Sequence, residues 1–224
     1  MRGGLIAHRG GVFGTNFSEN SLEAFSQAIT KGTKGLECDL RKSKDGEIVI
    51  VHDPTIINGM EVINLNFKEI REIVPHICKA IDLLELVSQE APSSYVVNLE
   101  IKEYDLYKDV FKLVTQFPQL NIFITSFLHS EIEHLQNLII QQKHISLGLL
   151  FESYPLNMKE IIENTKYNIV IREYVLPKDK RHTLFDLLLR NSKRITVYTV
   201  NDIEKIVFYQ SCGFNVITDS LISF

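Results

Sequence analysis

Strand-like and helix-like segments alternate from one end of this chain to the other, and that alternation narrows the fold more than any other feature. Short apolar runs read as strands at 4–8, 35–41, 95–102, 121–127, 146–151, 168–174, 195–200 and 214–218. Helical patterns separate them at 20–32, 67–74 with 82–90, 104–117, 130–142, 155–165, 179–191 and 202–212. Asn20 with Glu23 has the spacing of a capping box, and glycines at Gly32 and Gly213 mark helix ends. Repeated strand–helix–strand units demand parallel pairing and right-handed crossovers. One more apolar run, 47–52, follows the second strand after only Ser43-Lys44-Asp45-Gly46. That connection is too short for a parallel crossover and predicts an antiparallel hairpin arm. Eight parallel strands then close a (β/α)8 TIM barrel of the α/β class. An open doubly wound sheet fits less well, because Gly10-Gly11-Val12-Phe13-Gly14 lacks the spacing of a dinucleotide-binding turn. With no linker, repeat or low-complexity stretch, residues 1–224 read as one domain.

Two of these strands carry charge on one face. Side chains alternate along a strand, so Glu37 and Asp39 share a face opposite Leu36, Cys38 and Leu40. Likewise Asn98, Glu100 and Lys102 share a face opposite Val97, Leu99 and Ile101. Carboxylates buried on barrel strands are costly unless something pairs them, and a divalent cation is the natural partner of clustered hard oxygens. The catalytic groups of such barrels project from the C-terminal ends of the strands. His8 ends the first strand there and His52 arrives from the hairpin, both beside charged neighbours. An imidazole's ordinary pKa suits acid–base work at neutral pH. Arg9 offers a planar fork of donors suited to phosphate oxygens, whereas Lys102 has a plainer reading as the neutraliser of Glu100. Glu19 and Asn20 either line the site or cap the first helix. His76, His129, His134, His144 and His182 read as surface or satisfied core residues.

A net charge of −4 without a Lys/Arg run gives no footprint for nucleic acid. Three scattered cysteines, Cys38, Cys78 and Cys212, predict buried thiols in a reducing compartment, not a disulfide framework. No apolar run reaches the length of a membrane span, and the first strand begins without a preceding leader-like segment. A cytoplasmic location is the expectation.

Ordered motifs add a family resemblance over essentially the whole length. They run from Ile6-Ala7-His8-Arg9-Gly10 through Glu19-Asn20-Ser21, Gly35-Leu36-Glu37-Cys38-Asp39-Leu40, Lys44-Asp45-Gly46 and Ile50-Val51-His52-Asp53. They continue with Asn98-Leu99-Glu100-Ile101-Lys102, Thr125-Ser126-Phe127, Tyr198-Thr199-Val200-Asn201 and Val216-Ile217-Thr218-Asp219. The chain thereby resembles the glycerophosphodiester phosphodiesterase family. The resemblance implies a metal-dependent TIM-barrel hydrolase that cleaves small-molecule glycerophosphodiesters to glycerol 3-phosphate and an alcohol. It implies one divalent cation, Ca2+ or Mg2+, held by Glu37, Asp39 and Glu100, with His8 and His52 as the acid–base pair. Arg9 and Lys102 would hold the phosphate.

The chain departs from the pattern in places. Ser18 stands where the family usually has proline, and Tyr198 where it has tryptophan, so Tyr198 either stacks on the glycerol end or fills the barrel. Lys79-Ala80-Ile81 replaces a Pro-Thr-Leu run. The stretch from Asp53 to Phe67 is short, which predicts a shallow mouth. Its Ile56, Ile57, Met60, Val62 and Ile63 are candidates for the lipid groove that a lysophospholipase D would need. A non-catalytic phosphate-sensing barrel would have signalled itself by loss of one paired histidine, and neither is lost. A metal-dependent amidohydrolase would want a His-x-His pair that His8-Arg9-Gly10 does not supply.

Overall fold

The computed structural model describes residues 3–176 and 183–221. The strands are β1 (Leu5–Ala7), β2 (Gly35–Lys42), β3 (Ile48–Ile50), β4 (Val96–Ile101), β5 (Asn121–Ser126), β6 (Ile145–Phe151), β7 (Asn168–Arg172), β8 (Ile195–Tyr198) and β9 (Asn215–Thr218). All but β3 form a ring in the order β1-β9-β8-β7-β6-β5-β4-β2, and β1 pairs back onto β2 to close it. Every pairing in the ring is parallel. Strand β3 lies antiparallel on β2 with Ile50 opposite Leu40, outside the ring, as the short Ser43–Gly46 connection requires. The architecture is a TIM barrel with one appended hairpin arm.

The helices between strands are α1 (Leu22–Thr30), α2 (Phe67–Ile73), α3 (Ala80–Glu90), α4 (Tyr107–Val114), α5 (His129–Leu138), α6 (Met158–Asn164), α7 (Thr183–Arg190) and α8 (Ile203–Ser211). Positions 179–182 of the expected seventh helix lie outside the described residues. Two helix starts differ from expectation for identifiable reasons. Ser21, not Asn20, caps α1, its hydroxyl accepting the Ala24 N–H at 3.2 Å. Asn20 is one residue too early and its side-chain amide is engaged elsewhere. Helix α4 begins later than residue 104 because the buried carboxylate of Glu131, on α5, accepts the backbone N–H groups of Asp105 and Tyr107 at 3.1 and 3.0 Å. A long-range side chain thus serves the orphan donors that a local cap normally serves.

Strand alternation sorts the apolar residues into two bodies. Leu36, Cys38 and Leu40 face outward with Val97, Leu99 and Ile101, and pack beneath the helices in the main core. Ile6, Phe123, Leu150, Val170 and Ile217, from five different strands, pack on one another with Val96 and Tyr198 against them. Residues from so many strands can meet only inside the closed sheet, so this cluster is the barrel's interior plug. Gly148 makes room for it, since a Cβ there would lie 2.6 Å from the Phe123 ring.

The plug also places the site. Two residues beyond each plug residue, the inward face reaches the C-terminal mouth: Ile6 leads to His8, Leu150 to Glu152, Val170 to Arg172 and Ile217 to Asp219. The same period carries β4 from Val96 through Asn98 and Glu100 to Lys102. No helix among the described residues is long and apolar enough to cross a membrane.

Candidate active site

Glu37 and Asp39 from β2 and Glu100 from β4 are 3%, 1% and 8% exposed, and Asp39 stands in register with Glu100. Their carboxylate oxygens come within 4.8 Å of one another. Burial pushes the Glu37 carboxyl up to about 8, and the neighbouring charge of Asp39 adds to the rise. Glu100 is also raised, by burial first, although Lys102 opposes it. Burial alone would raise Asp39 as well, but Lys102, Arg9 and a hydrogen bond from Asn20 outweigh it and hold its pKa below the usual carboxylate value.

The cluster is compatible with a divalent cation. Glu37 Oε1 is buried without a hydrogen-bond partner, and all three residues offer the hard oxygen donors that Ca2+ and Mg2+ prefer. An unpartnered buried carboxylate oxygen costs free energy that a cation would recover.

Cations ring the cluster. Lys102 Nζ lies 2.7 Å from Glu100 and 3.4 Å from Asp39, so its expected pairing with Glu100 extends to a second carboxylate. Arg9 reaches Asp39 through Nε at 3.1 Å and Glu19 through Nη1 at 3.0 Å. Its backbone N–H donates to Glu37 Oε2. Asn20 donates from its side chain to Asp39 at 2.9 Å, so it braces the cluster from behind instead of capping α1.

The histidines approach from β1 and from the hairpin arm, which share one edge of β2. His8 lies in a 3-10 turn just past β1, not in the strand itself. Its Nδ1 is 2.5 Å from Asp219 Oδ1 and its Nε2 is 3.8 Å from Glu37. Burial lowers the His8 pKa, but the Asp219 hydrogen bond and the Glu37 charge overcome it and the net direction is up. His52 follows β3, with Nδ1 2.7 Å from Asp53. Its carbonyl is fixed by Arg41 Nε at 2.9 Å, which anchors the loop.

His8, Arg9, Glu37, His52, Glu100, Lys102 and Tyr198 open onto one cavity of about 400 Å3. Asp39 is buried behind it, while Glu19 and Asn20 line an adjacent hollow that shares His52. Tyr198 closes the top of the interior plug, its hydroxyl donating to the Phe151 carbonyl at 3.2 Å and its ring edge-on to Phe127. It therefore fills the barrel and lines the cavity at once.

Residues 8–222 match the sequence profile of the Glycerophosphoryl diester phosphodiesterase family. The chain belongs to that family.

A glycerophosphodiester phosphodiesterase of Caldanaerobacter subterraneus is 28% identical over 166 residues, which span 66% of each chain. A mouse lysophospholipase D is 30% identical over 57% of this chain and 46% of its own. The chain thus spans two thirds or less of the length of these relatives. Among solved structures, a glycerophosphodiester phosphodiesterase of Thermotoga maritima superposes with a TM-score of 0.75 at 23% identity, covering 99% of this chain and 96% of that one. A phosphodiesterase of Oleispira antarctica, solved with the product sn-glycerol-3-phosphate, superposes at 0.80 with 22% identity over 97% and 93%. At these identities the likeness establishes the fold.

This member of the glycerophosphoryl diester phosphodiesterase family carries mouth residues that sequence reading left unassigned. Asp219 was visible only as the end of the Val216-Ile217-Thr218-Asp219 motif, yet it holds His8. Asn201 in turn donates to Asp219 at 2.8 Å. Glu152 and Arg172 also line the cavity. The signal that finds Asp219, Glu152 and Arg172 is positional: each stands one inward step past the last plug residue of its strand. Of the apolar residues expected around a lipid groove, Val62 is instead buried against Val49, Ile70 and Ile77, whereas Ile57 and Ile63 are exposed.

Proposed function

We propose that this protein hydrolyses glycerophosphodiesters to glycerol 3-phosphate and an alcohol, with Glu37, Asp39 and Glu100 holding one divalent cation. The observation that carries the reading is the buried carboxylate cluster beside His8 on a cavity rimmed by Arg9 and Lys102. A bound divalent cation would polarise phosphoryl oxygens as a Lewis acid.

The chain's own groups supply the rest. Asp219 accepts the Nδ1–H of His8, which fixes the tautomer and leaves Nε2 facing the cavity to accept or deliver a proton. Asp53 pairs with His52 Nδ1 in the same way at the hairpin arm. One imidazole removes the proton of the nucleophile, either water or the neighbouring glycerol hydroxyl, and the other protonates the departing alcohol oxygen. Attack by the glycerol hydroxyl gives a cyclic phosphodiester that water then opens to glycerol 3-phosphate. Arg9 and Lys102 offset the charge that accumulates on the phosphoryl oxygens.

The test is a panel of deacylated glycerophosphodiesters assayed with Ca2+, Mg2+ or chelator. Release of glycerol 3-phosphate that chelator abolishes and one cation restores is the expected result. No release from any ester, with either cation, overturns the proposal.

A second reading, lysophospholipase D activity, draws on the relative of that name and on apolar side chains near the mouth. Phe13, Phe17, Ile57 and Ile63 are 71%, 44%, 56% and 48% exposed on the loops that follow β1 and β3. Turnover of lysophosphatidylcholine without turnover of glycerophosphocholine would favour it.

A further inference from the structure

The cavity has a second polar wall, and the hydrolytic steps do not use it. Glu152 follows β6 and Arg172 ends β7, while His8 follows β1 and Glu37 and Asp39 lie on β2. In the ring order β1-β9-β8-β7-β6-β5-β4-β2, β6 is four strands from β1 in either direction, and β7 is four strands from β2. Arg172 therefore stands diametrically across the mouth from Glu37 and Asp39, and Glu152 across from His8, and both line the same cavity.

This wall is a built arrangement. Arg172 Nη1 donates to Glu152 Oε1. The guanidinium lies 5.3 Å above the Tyr174 ring, and the Tyr174 hydroxyl donates to the Glu152 carbonyl at 2.9 Å. In register with Arg172 on β8 is Tyr198, whose hydroxyl is tied to Phe151 and whose ring meets Phe127. Burial raises the Tyr198 pKa, so its hydroxyl stays neutral.

We propose that Glu152 and Arg172 form the subsite for the leaving alcohol and select one that bears hydroxyl groups, a polyol, over a quaternary ammonium. The assignment rests on the phosphodiesterase reading above. Two ester arms diverge from one phosphorus. The glycerol arm carries the hydroxyl next to the phosphate and belongs beside the cation site and the histidines, so the other arm crosses the mouth towards β6 and β7.

The chemistry of the wall then decides between head groups. A carboxylate beside a guanidinium offers one strong acceptor and several fixed donors, which match adjacent hydroxyls on a carbon frame. Tyr198 and Phe127 supply apolar surface for that frame. A quaternary ammonium has no hydrogen to donate to Glu152 and gains most over an open aromatic face. Here Arg172 covers Tyr174, and Lys102 Nζ lies 5.9 Å over Phe127. An anionic head group gains little, because Glu152 already neutralises Arg172. The short loop from Asp53 to Phe67 is not needed for this selection, since the strand ends supply it.

The experiment compares kcat/KM for glycerophosphoglycerol and glycerophosphoinositol with that for glycerophosphocholine. It uses the wild type, R172Q and the double variant E152Q/R172Q, which leaves neither charge unpaired. Wild type should favour the polyol esters by roughly tenfold or more, mainly through KM, because a site built to bond hydroxyls rejects an analogue without them. Both variants should erase most of that preference while their melting temperatures stay near wild type. An unchanged preference overturns the assignment. An equal loss on all three esters also overturns it, since the pair would then be holding the shared glycerol or the barrel itself. If wild type is active but shows no preference, the subsite fails and the hydrolase reading stands. If wild type cleaves none of the esters with any cation, both fail.

Discussion

His8 Nδ1 sits 2.5 Å from Asp219 Oδ1, joining the first strand of the barrel to the last across 211 residues of sequence. Asn201 holds the second oxygen of Asp219 at 2.8 Å and accepts its backbone N–H at 2.9 Å, so the carboxylate cannot swing away from the imidazole. The partnership raises His8 against burial. It also holds Asp219 below the ordinary carboxylate range, again against burial, through the His8 and Asn201 hydrogen bonds.

Asp219→Asn should therefore act through His8. Removing the negative partner disfavours the imidazolium, so the limb of the pH–rate profile that belongs to His8 should move to lower pH. Turnover should fall by roughly 10- to 100-fold, as for other groups that orient a working histidine. A fall in rate with an unmoved profile would reduce Asp219 to a packing role.

His8→Ala and His52→Ala should each cost about 10² to 10⁴ in turnover. His52→Ala should leave the melting curve nearly unchanged, because that side chain is 37% exposed and bonds only its neighbour Asp53 among the contacts described. Near-native activity in either variant would remove that histidine from the acid–base pair.

Glu37 makes metal-free stability depend on pH with a definite sign. Its carboxyl rises from 4.5 to about 8 on folding, so the folded chain holds the proton more tightly than the unfolded chain does. That contribution is full below about 4.5 and is lost as pH rises through about 8. Chelator-treated protein should melt at progressively lower temperature across this window. Because a cation displaces that proton, Ca2+ or Mg2+ should protect more at pH 8 than at pH 5. At a hundredfold excess over Kd the gain is about 2.7 kcal/mol, roughly 5–11 °C for a chain of this size. Glu37→Gln should flatten the slope, leaving the smaller part due to Glu100 and His8, and remove most of the cation response in differential scanning fluorimetry.

Gly148→Val tests the interior plug. The new side chain must enter space held by Phe123 and Thr125, whose nearest atoms would lie 2.6 and 3.1 Å from its Cβ. Overpacking of this kind costs about 1–3 kcal/mol, readable as a lower urea midpoint. Phe123→Leu in the same chain should recover part of the loss. Full stability of the single variant would mean that the plug is loosely filled.

The sequence by itself determined the barrel, because strand and helix periods are local and the connections between them leave few topologies. The four residues from Ser43 to Gly46 forced the antiparallel arm, and the two-residue period on β2 and β4 put Glu37, Asp39, Glu100 and Lys102 on one face. The helix starts were less legible. Asn20 and Ser21 compete for one cap, and what decides between them is Asp39, nineteen residues away, which takes the Asn20 amide. Nothing local marks Glu131 as the group that replaces a cap for α4.

The mouth divides in the same way. Residues beside a short charged motif could be read directly. The roles of Asp219, Glu152 and Arg172 could not, because each stands at a strand end where its meaning depends on which strands lie beside and across from it. Ring closure supplies that information: it puts β9 next to β1, so Asp219 meets His8, and sets β6 opposite β1 and β7 opposite β2. Sequence period fixes which way a side chain points; only the closed sheet fixes what it points at.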